Sequence, residues 1–359
     1  MMTSTRAEQV PLSQFTTLAV GGPAREMVRV DTVAEALAQA GRARQLGWPL
    51  FVLGGGSNLL VSDEGFPGLV LQWDDRSLEL LESRDSTVLC KVGGGWSWDE
   101  WVAHTVEQNW AGLECLSGIP GRVGAAPIQN IGAYGREVAE CIEACWVLDW
   151  QTGVIERLPA ADCGFGYRYS HFKGPWKGRF LLTAVEFRLQ IQGIPQVRYA
   201  ELQRAMEGQP LDLAQVRQTV LGIRRGKSMV WDPSDPNHRS AGSFFMNPLV
   251  PAERARQLRQ QWGEAMPAYP AGEEMYKLSA AWLIERSGFP RGFVQGAAGL
   301  SSRHVLALIN RGSARAEDML RLAARVRRGV LEQFAIELVP EPEFLGFSES
   351  VAELLSKFS

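Results

Sequence analysis

Two glycine-dense stretches of this chain could hold a phosphate-bearing ligand through backbone groups alone. The longer is Gly118 to Glu137, GIPGRVGAAPIQNIGAYGRE, where glycines, two prolines, Gln129 and Asn130 interrupt an otherwise apolar segment. Glycine permits close backbone approach and positive φ, whereas proline fixes φ and removes a donor. Their mixture therefore writes a shaped loop whose N–H and amide groups face something flat and polar. An irregular structural loop accounts for the same composition equally well. The second stretch is Leu53-Gly54-Gly55-Gly56-Ser57-Asn58-Leu59-Leu60. It follows the apolar run Pro49-Leu50-Phe51-Val52-Leu53, which reads as a buried strand, and a strand emptying into glycines presents clustered backbone donors of the kind that cradle phosphate or pyrophosphate. Glycine turns after strands are also common without any ligand.

Neither stretch is one of the common nucleotide fingerprints. The G-x-G-x-x-G pattern fails because its third glycine falls on Leu59, and the following LVSDEGFPGLVL reads as strand and turn instead of a helix. A Walker loop fails too: Gly226-Lys227-Ser228 has the right ending, but the first glycine falls on Leu221. The elements around the loops are legible. Thr32 and Glu35 are spaced as a capping box before the helical pattern AEALAQAGRARQL, which Gly47 ends. SWDEWVAHTVEQ, LAQVRQTVLGIRRGKS (213–228), KLSAAWLIERSG and EDMLRLAARVRRGVLEQF read as helices, while RFLLTAVEFRLQ (179–190) and HVLALIN read as strands. WDPSDPNHRSAG is a loop that marks a boundary or an active-site segment, and the polar N-terminal MMTSTRAEQVPLSQ reads as a frayed end.

Composition excludes several function classes. With 37 basic against 40 acidic side chains the formal charge is −3, which gives no global electrostatic case for nucleic acid. No run of 18 apolar residues and no charged-then-apolar leader is present, so a cytoplasmic protein without membrane insertion is expected. The five cysteines, at 90, 115, 141, 145 and 163, form no C-x-x-C pair and read as buried reduced thiols; four scattered histidines leave metal chemistry unsupported. At 359 residues and 45% hydrophobic content, two or three domains are expected.

The segments TTLAVGGPA (16–24), LGGGSNLL (53–60), GIPGRVGAAPIQNIGAYGRE (118–137), YRYSHFK (167–173), AGSFFMNP (241–248), KLSAAWLIERSGF (277–289) and HVLALIN (304–310), taken together and in order, resemble the UDP-N-acetylenolpyruvoylglucosamine reductase family of peptidoglycan synthesis, in its long form. The resemblance runs along nearly the whole chain, and QNIGAYG and GSFF-x-NP are its most specific blocks. It implies an α+β fold: a two-subdomain FAD-binding cradle of the vanillyl-alcohol-oxidase type plus an α/β substrate-binding domain. The implied boundaries are 1–75 for the first subdomain, to which 335–359 returns, 76–226 for the second, and 227–334 for the substrate-binding domain. It further implies noncovalent FAD, NADPH as co-substrate, UDP-N-acetylglucosamine enolpyruvate as substrate, and a monomer.

The flavin contacts implied by the resemblance are Leu53, Gly54, Gly55, Gly56, Ser57, Asn58 and Leu59 in the first loop. In the second they are Gly118, Ile119, Pro120, Gly121, Gly124, Ala125, Gln129, Asn130, Ile131, Gly132, Ala133 and Tyr134. Arg168 matches the family's enolate-stabilising arginine, a role suited to a planar fork that holds a carboxylate by two bonds and stays protonated. Ser243 matches the proton donor. A serine hydroxyl is a poor acid and serves only where the acceptor is strongly basic and water is excluded, conditions that Gly242, Phe244 and Phe245 would favour. The family's glutamate matches Glu341 when counted back without a gap from Leu345-Gly346, or Glu343 when Glu-Pro-Glu is matched directly; Glu341 is preferred. Tyr167, Tyr199, Lys227, Asn247, Lys277 and Gln295 match substrate contacts. Two departures put fine substrate contacts in doubt: Met246 stands where a basic residue is common, and Arg122 sits inside the flavin loop.

From the residues alone, Arg168 reads more readily as a surface or structural arginine beside aromatics and Ser243 more readily as a turn or cap residue. Two other functions stay open at this level. One is another FAD enzyme of the same fold, oxidising an alcohol or hydroxyacid, which would not need Arg168, Ser243 and the C-terminal glutamate in this order. The other is a P-loop-like nucleotide hydrolase or a noncatalytic nucleotide sensor, which yellow colour on purification would exclude.

Overall fold

In the computed structural model, which describes residues 6–358, the chain divides into two compact units. The first holds the chain up to Val10, Ala24–Gly56 and Phe66–Trp231; the second holds Pro11–Pro23, Ser57–Gly65 and Asp232 onward.

The first unit is built on two sheets. The smaller has the strand order Arg6–Pro11, Pro23–Val30, Phe66–Trp73, Leu50–Val52, and the last three run parallel. The parallel pairing requires a crossover, supplied by the helix Val33–Gln45, whose Thr32 hydroxyl accepts from the Glu35 N–H. The larger sheet is antiparallel, in the order Ile155–Pro159, Ile142–Asp149, Phe180–Ile191, Thr87–Gly93, Leu78–Arg84, with Trp110–Ala111 beside Phe180–Ile191. Leu148 and Leu181 of this sheet share a core with Val28, Ala36, Leu69 and Leu71. On its other face Phe187 meets Trp98 and Trp101 of the helix Trp98–Glu107, with ring centroids 6.1 and 5.7 Å apart. The helix Leu213–Gly226 buries Val216 and Val220 against Cys115 and Leu202. All five cysteines are buried and unpaired.

The second unit packs the helices Ala252–Trp262, Ala280–Arg286 and Ala316–Phe334 with two three-stranded antiparallel sheets. Its core includes Phe244, Phe245, Leu322 and Phe334. Residues 11–23 and 57–65 contribute Leu18, Val20 and Leu60 to that core, and the strand Leu59–Val61 pairs in parallel with Glu343–Leu345. These segments belong to the second unit, where their apolar side chains and their ladder partner lie. Residues 335–358 belong to the same unit.

The N-terminal end differs from its expected fraying. Residues 1–5 of that stretch lie outside the described residues, but Arg6–Pro11 is a strand, Arg6 pairs with the buried Glu26 at 2.9 Å, and Leu12 is fully buried. Backbone pairing with Pro23–Val30 and the burial of Leu12 order this stretch despite its polar composition. In KLSAAWLIERSG the first two residues end the strand Met275–Leu278, and the helix begins after Ser279, whose hydroxyl caps it. Only Leu308–Asn310 of HVLALIN is extended.

Candidate active site

In the first unit the two glycine loops meet. A Cβ on Gly55 would stand 2.7 Å from the Gly121 Cα, and one on Gly54 would stand 3.0 Å from the Ala125 Cβ, so the approach is one that only glycine permits. Gly56, Gly118 and Gly121 have φ of 62°, 72° and 142°, in the region that other residues avoid. Among the described residues the N–H groups of Gly54, Gly55, Gly56 and Gly121 have no protein acceptor. Clustered donors of this kind, on backbones held in contact, fit a diphosphate-bearing cofactor. Replacing Gly55 by Val forces the two backbones apart, and overpacking of this size costs about 1–3 kcal/mol, so FAD should be held roughly 10- to 100-fold more weakly. Flavin absorbance per chain in the purified variant measures this; a full complement of FAD would remove the two loops from the cofactor site.

The base of the loop is held by a residue that sequence reasoning missed. Asp99, in the first turn of Trp98–Glu107, accepts from the Gly118 N–H at 2.5 Å and is gripped by both Arg217 nitrogens at 2.6 and 2.9 Å. Burial works against its charge, but Arg217 and the Gly118 amide outweigh it and hold the carboxyl below its usual range. An acidic residue early in a helix carries no sequence mark of a partner so far away in the chain. Arg122, the unexpected charge in the loop, points out of it: it donates to the Trp73 carbonyl at 2.6 Å and to Asp74 at 2.8 Å.

Further along, Gly132-Ala133 and Arg136-Glu137 pair as a hairpin whose turn residues Tyr134 and Gly135 both have positive φ. The Tyr134 ring meets Tyr199 edge-on at 5.8 Å, and burial pushes its hydroxyl up to about 12. Lys227 reaches Glu201 at 2.5 Å, in the helix Ala200–Ala205 that follows Tyr199. Arg168 occupies the second central position of a tight turn closed by reciprocal Gly166–Tyr169 backbone bonds of 3.0 and 3.1 Å, with φ of 52°. Its guanidinium donates to the Gly132 carbonyl at 2.6 Å and lies over the Tyr167 ring at 5.3 Å. Thus Tyr167, Arg168, Tyr134 and Tyr199 gather on the 118–137 loop.

In the second unit, Ser57, Asn58, Ser243 and Glu341 come together through backbone. Thr17 Oγ1 donates to the Ser57 and Ser240 carbonyls at 3.4 and 2.6 Å. Asn58 donates to the Glu341 carbonyl at 3.2 Å, and the Glu341 N–H donates to the Phe244 carbonyl at 2.9 Å. Phe245 bridges Pro340, so the Ser243 segment runs antiparallel beside the Glu341 segment. Glu343 instead begins the strand beside Leu59 and donates its N–H to the Asn58 carbonyl at 3.0 Å. Ser243 is half-buried between Gly242, with φ of 71°, and the fully buried Phe244 and Phe245. Asn247 accepts from the Ala280 N–H at 2.9 Å, and Lys277 lies opposite Leu249 on the adjoining strand. Gln295 stands apart, on another hairpin, where it accepts from Arg325 at 3.2 Å.

A FAD binding domain model matches residues 24–158, and a model described as UDP-N-acetylenolpyruvoylglucosamine reductase, C-terminal domain, matches residues 233–345. The class is therefore a flavin-binding oxidoreductase. Over 355 residues the chain is 46% identical to the UDP-N-acetylenolpyruvoylglucosamine reductase of Thermobifida fusca, covering 96% of this chain and 99% of that one. It is 44% identical over 347 residues to that of Streptomyces avermitilis, covering 94% of each. The crystal structure of the Thermus caldophilus enzyme superposes with a TM-score of 0.64 at 29% identity, covering 96% of this chain and 100% of the other. The chain belongs to the UDP-N-acetylenolpyruvoylglucosamine reductase family.

Proposed function

We propose that this protein reduces UDP-N-acetylglucosamine enolpyruvate to UDP-N-acetylmuramate for peptidoglycan synthesis, with noncovalent FAD as cofactor and NADPH as co-substrate. The observation that carries this reading is the 46% identity over 96% of the chain to a reductase of that name. The N–H groups of Gly54, Gly55, Gly56 and Gly121 would hold the cofactor's diphosphate, with Gly118 anchored by Asp99 at the base of the loop. Residues 1–75 and 76–226 are read as the two halves of the flavin cradle, 227–334 as the substrate-binding part, and 335–359 as a return to the first. We read the protein as a cytoplasmic monomer; among the described residues no helix is long and apolar enough to cross a membrane.

When bound and reduced by NADPH, FAD would supply a hydride to the methylene carbon of the enolpyruvyl group. The electron pair of the double bond moves toward the substrate carboxylate, which becomes enolate-like and needs a fixed cation. Arg168 fills that role, its fork already aimed by the Gly132 carbonyl at 2.6 Å. Ser243 gives its hydroxyl proton to the neighbouring carbon and regains one from solvent. The apolar walls of Phe244 and Phe245 favour this transfer, because excluding water keeps the enolate basic. Glu341 acts with Arg168 in polarising the intermediate; it is preferred over Glu343 because its backbone bonds directly to Phe244, next to Ser243. Tyr167, Tyr199, Lys227, Asn247, Lys277 and Gln295 are assigned to the substrate, Lys227 to its diphosphate.

The test is anaerobic. NADPH should bleach the flavin band, and the UDP-enolpyruvyl sugar should restore it in stoichiometric amount. A reduced flavin that ignores this substrate but reacts promptly with oxygen would favour the oxidase reading.

A further inference from the structure

The side chain of Asn130 is committed within the protein in a way that bears on Arg168. It is 1% exposed, with φ of 47°. Its Nδ2 donates to Glu137 Oε2 at 2.7 Å and to the Gly166 carbonyl at 3.0 Å, and its Oδ1 accepts from the Ala139 N–H at 3.0 Å. Both amide hydrogens are used, and the neighbours fix the amide's orientation, because two acceptors face one end and a donor faces the other. Gly166 opens the turn that carries Arg168, and Arg168 in turn donates to Gly132, two residues beyond Asn130. The links form a closed circuit: Asn130 to Gly166, through the turn to Arg168, and back to Gly132. A second tether, from the fully buried Ser170 to the Ile128 carbonyl at 2.6 Å, fixes the other side of the same turn.

We propose that Asn130 is a positioning residue for Arg168, holding the Gly166–Tyr169 turn against the 118–137 loop so that the guanidinium stands where the substrate carboxylate arrives. The proposal rests on the role of Arg168 given above, and it moves the Asn130 side chain from cofactor contact to support of the catalytic arginine. A turn whose second central residue is a strained arginine needs such support, because a non-glycine residue in the left-handed region costs about 1–2 kcal/mol and persists only when its surroundings over-determine it.

Asn130→Gly separates the backbone from the side chain, because glycine accepts the positive φ freely but lacks the amide. Asn130→Asp is the second variant: it keeps the shape and the bond from Ala139 but cannot donate to Gly166. Both should purify with a wild-type FAD:protein ratio and be reduced by NADPH within about threefold of the wild-type rate, yet be reoxidised by the enolpyruvyl substrate at least about tenfold more slowly. The double variant Arg168→Ala/Asn130→Gly should be no slower than Arg168→Ala alone, which a merely structural residue would not produce. Wild-type reoxidation in the glycine variant, additive effects in the double variant, or loss of FAD from both single variants would overturn the assignment. If Arg168→Ala itself were reoxidised normally, the role of Arg168 would fail instead.

Discussion

Arg168→Ala should be reduced by NADPH at close to the wild-type rate and then reoxidised by the enolpyruvyl substrate about 10²- to 10³-fold more slowly, the loss usual for removing one donor to a developing oxyanion. The asymmetry follows from where the charge appears. Reduction of the flavin by NADPH creates no enolate, so the guanidinium has nothing to stabilise in that half-reaction. Stopped-flow absorbance at the flavin band separates the halves; equal slowing of both would mean that Arg168 only supports the loop. The backbone adds a second readout. With φ of 52° at this position, Arg168→Gly should be more stable than Arg168→Ala by about 1 kcal/mol, measured by denaturant unfolding, although both lose the bond to the Gly132 carbonyl. An alanine variant as stable as the glycine variant would show that the turn relaxes in solution and that its strain is not sustained.

Ser243→Ala should give a similar split through a different atom. If the hydroxyl supplies the proton, its loss should slow reoxidation by about 10²-fold or more while leaving reduction by NADPH nearly intact. Ser243 Oγ has no protein hydrogen-bond partner among the described residues, so its removal leaves no protein group unsatisfied and should alter stability by less than about 0.5 kcal/mol. A large effect on rate with a negligible effect on unfolding would thus separate proton transfer from packing. No effect on reoxidation would assign the proton to another residue or to water.

Much of the local structure was legible in the sequence. The helices Val33–Gln45, Leu213–Gly226 and Ala316–Phe334 carry apolar positions at helical spacing, and the burial of Val216 and Val220, or of Met319, Leu322, Ala323, Val326 and Val330, follows that spacing. Glycine density located both loops, since the backbone contact of Gly55 with Gly121 leaves no room for a Cβ. The order of the motifs was sufficient to place the chain in its family.

What the sequence could not decide is which polar groups meet. Periodicity reports which face of an element is apolar, but a carboxylate's partner depends on chain crossings that no local pattern records. Asp99 reads as a helix-start acid, yet it holds the Gly118 amide with the help of Arg217, 118 residues further on. Asn130 reads as one more loop amide, yet both of its N–H donors are consumed by Glu137 and Gly166. Counting back from Leu345-Gly346 preferred Glu341 over Glu343 but could not tell that Glu341 runs antiparallel beside Phe244 whereas Glu343 pairs in parallel with Leu59. The sequence by itself therefore determined the elements, the glycine loops and the family, because propensity, steric permission and motif order are local properties. Tertiary structure alone decided which donors remain for a ligand, because every hydrogen bond satisfied inside the protein removes one from the site, and that depends on neighbours distant in sequence.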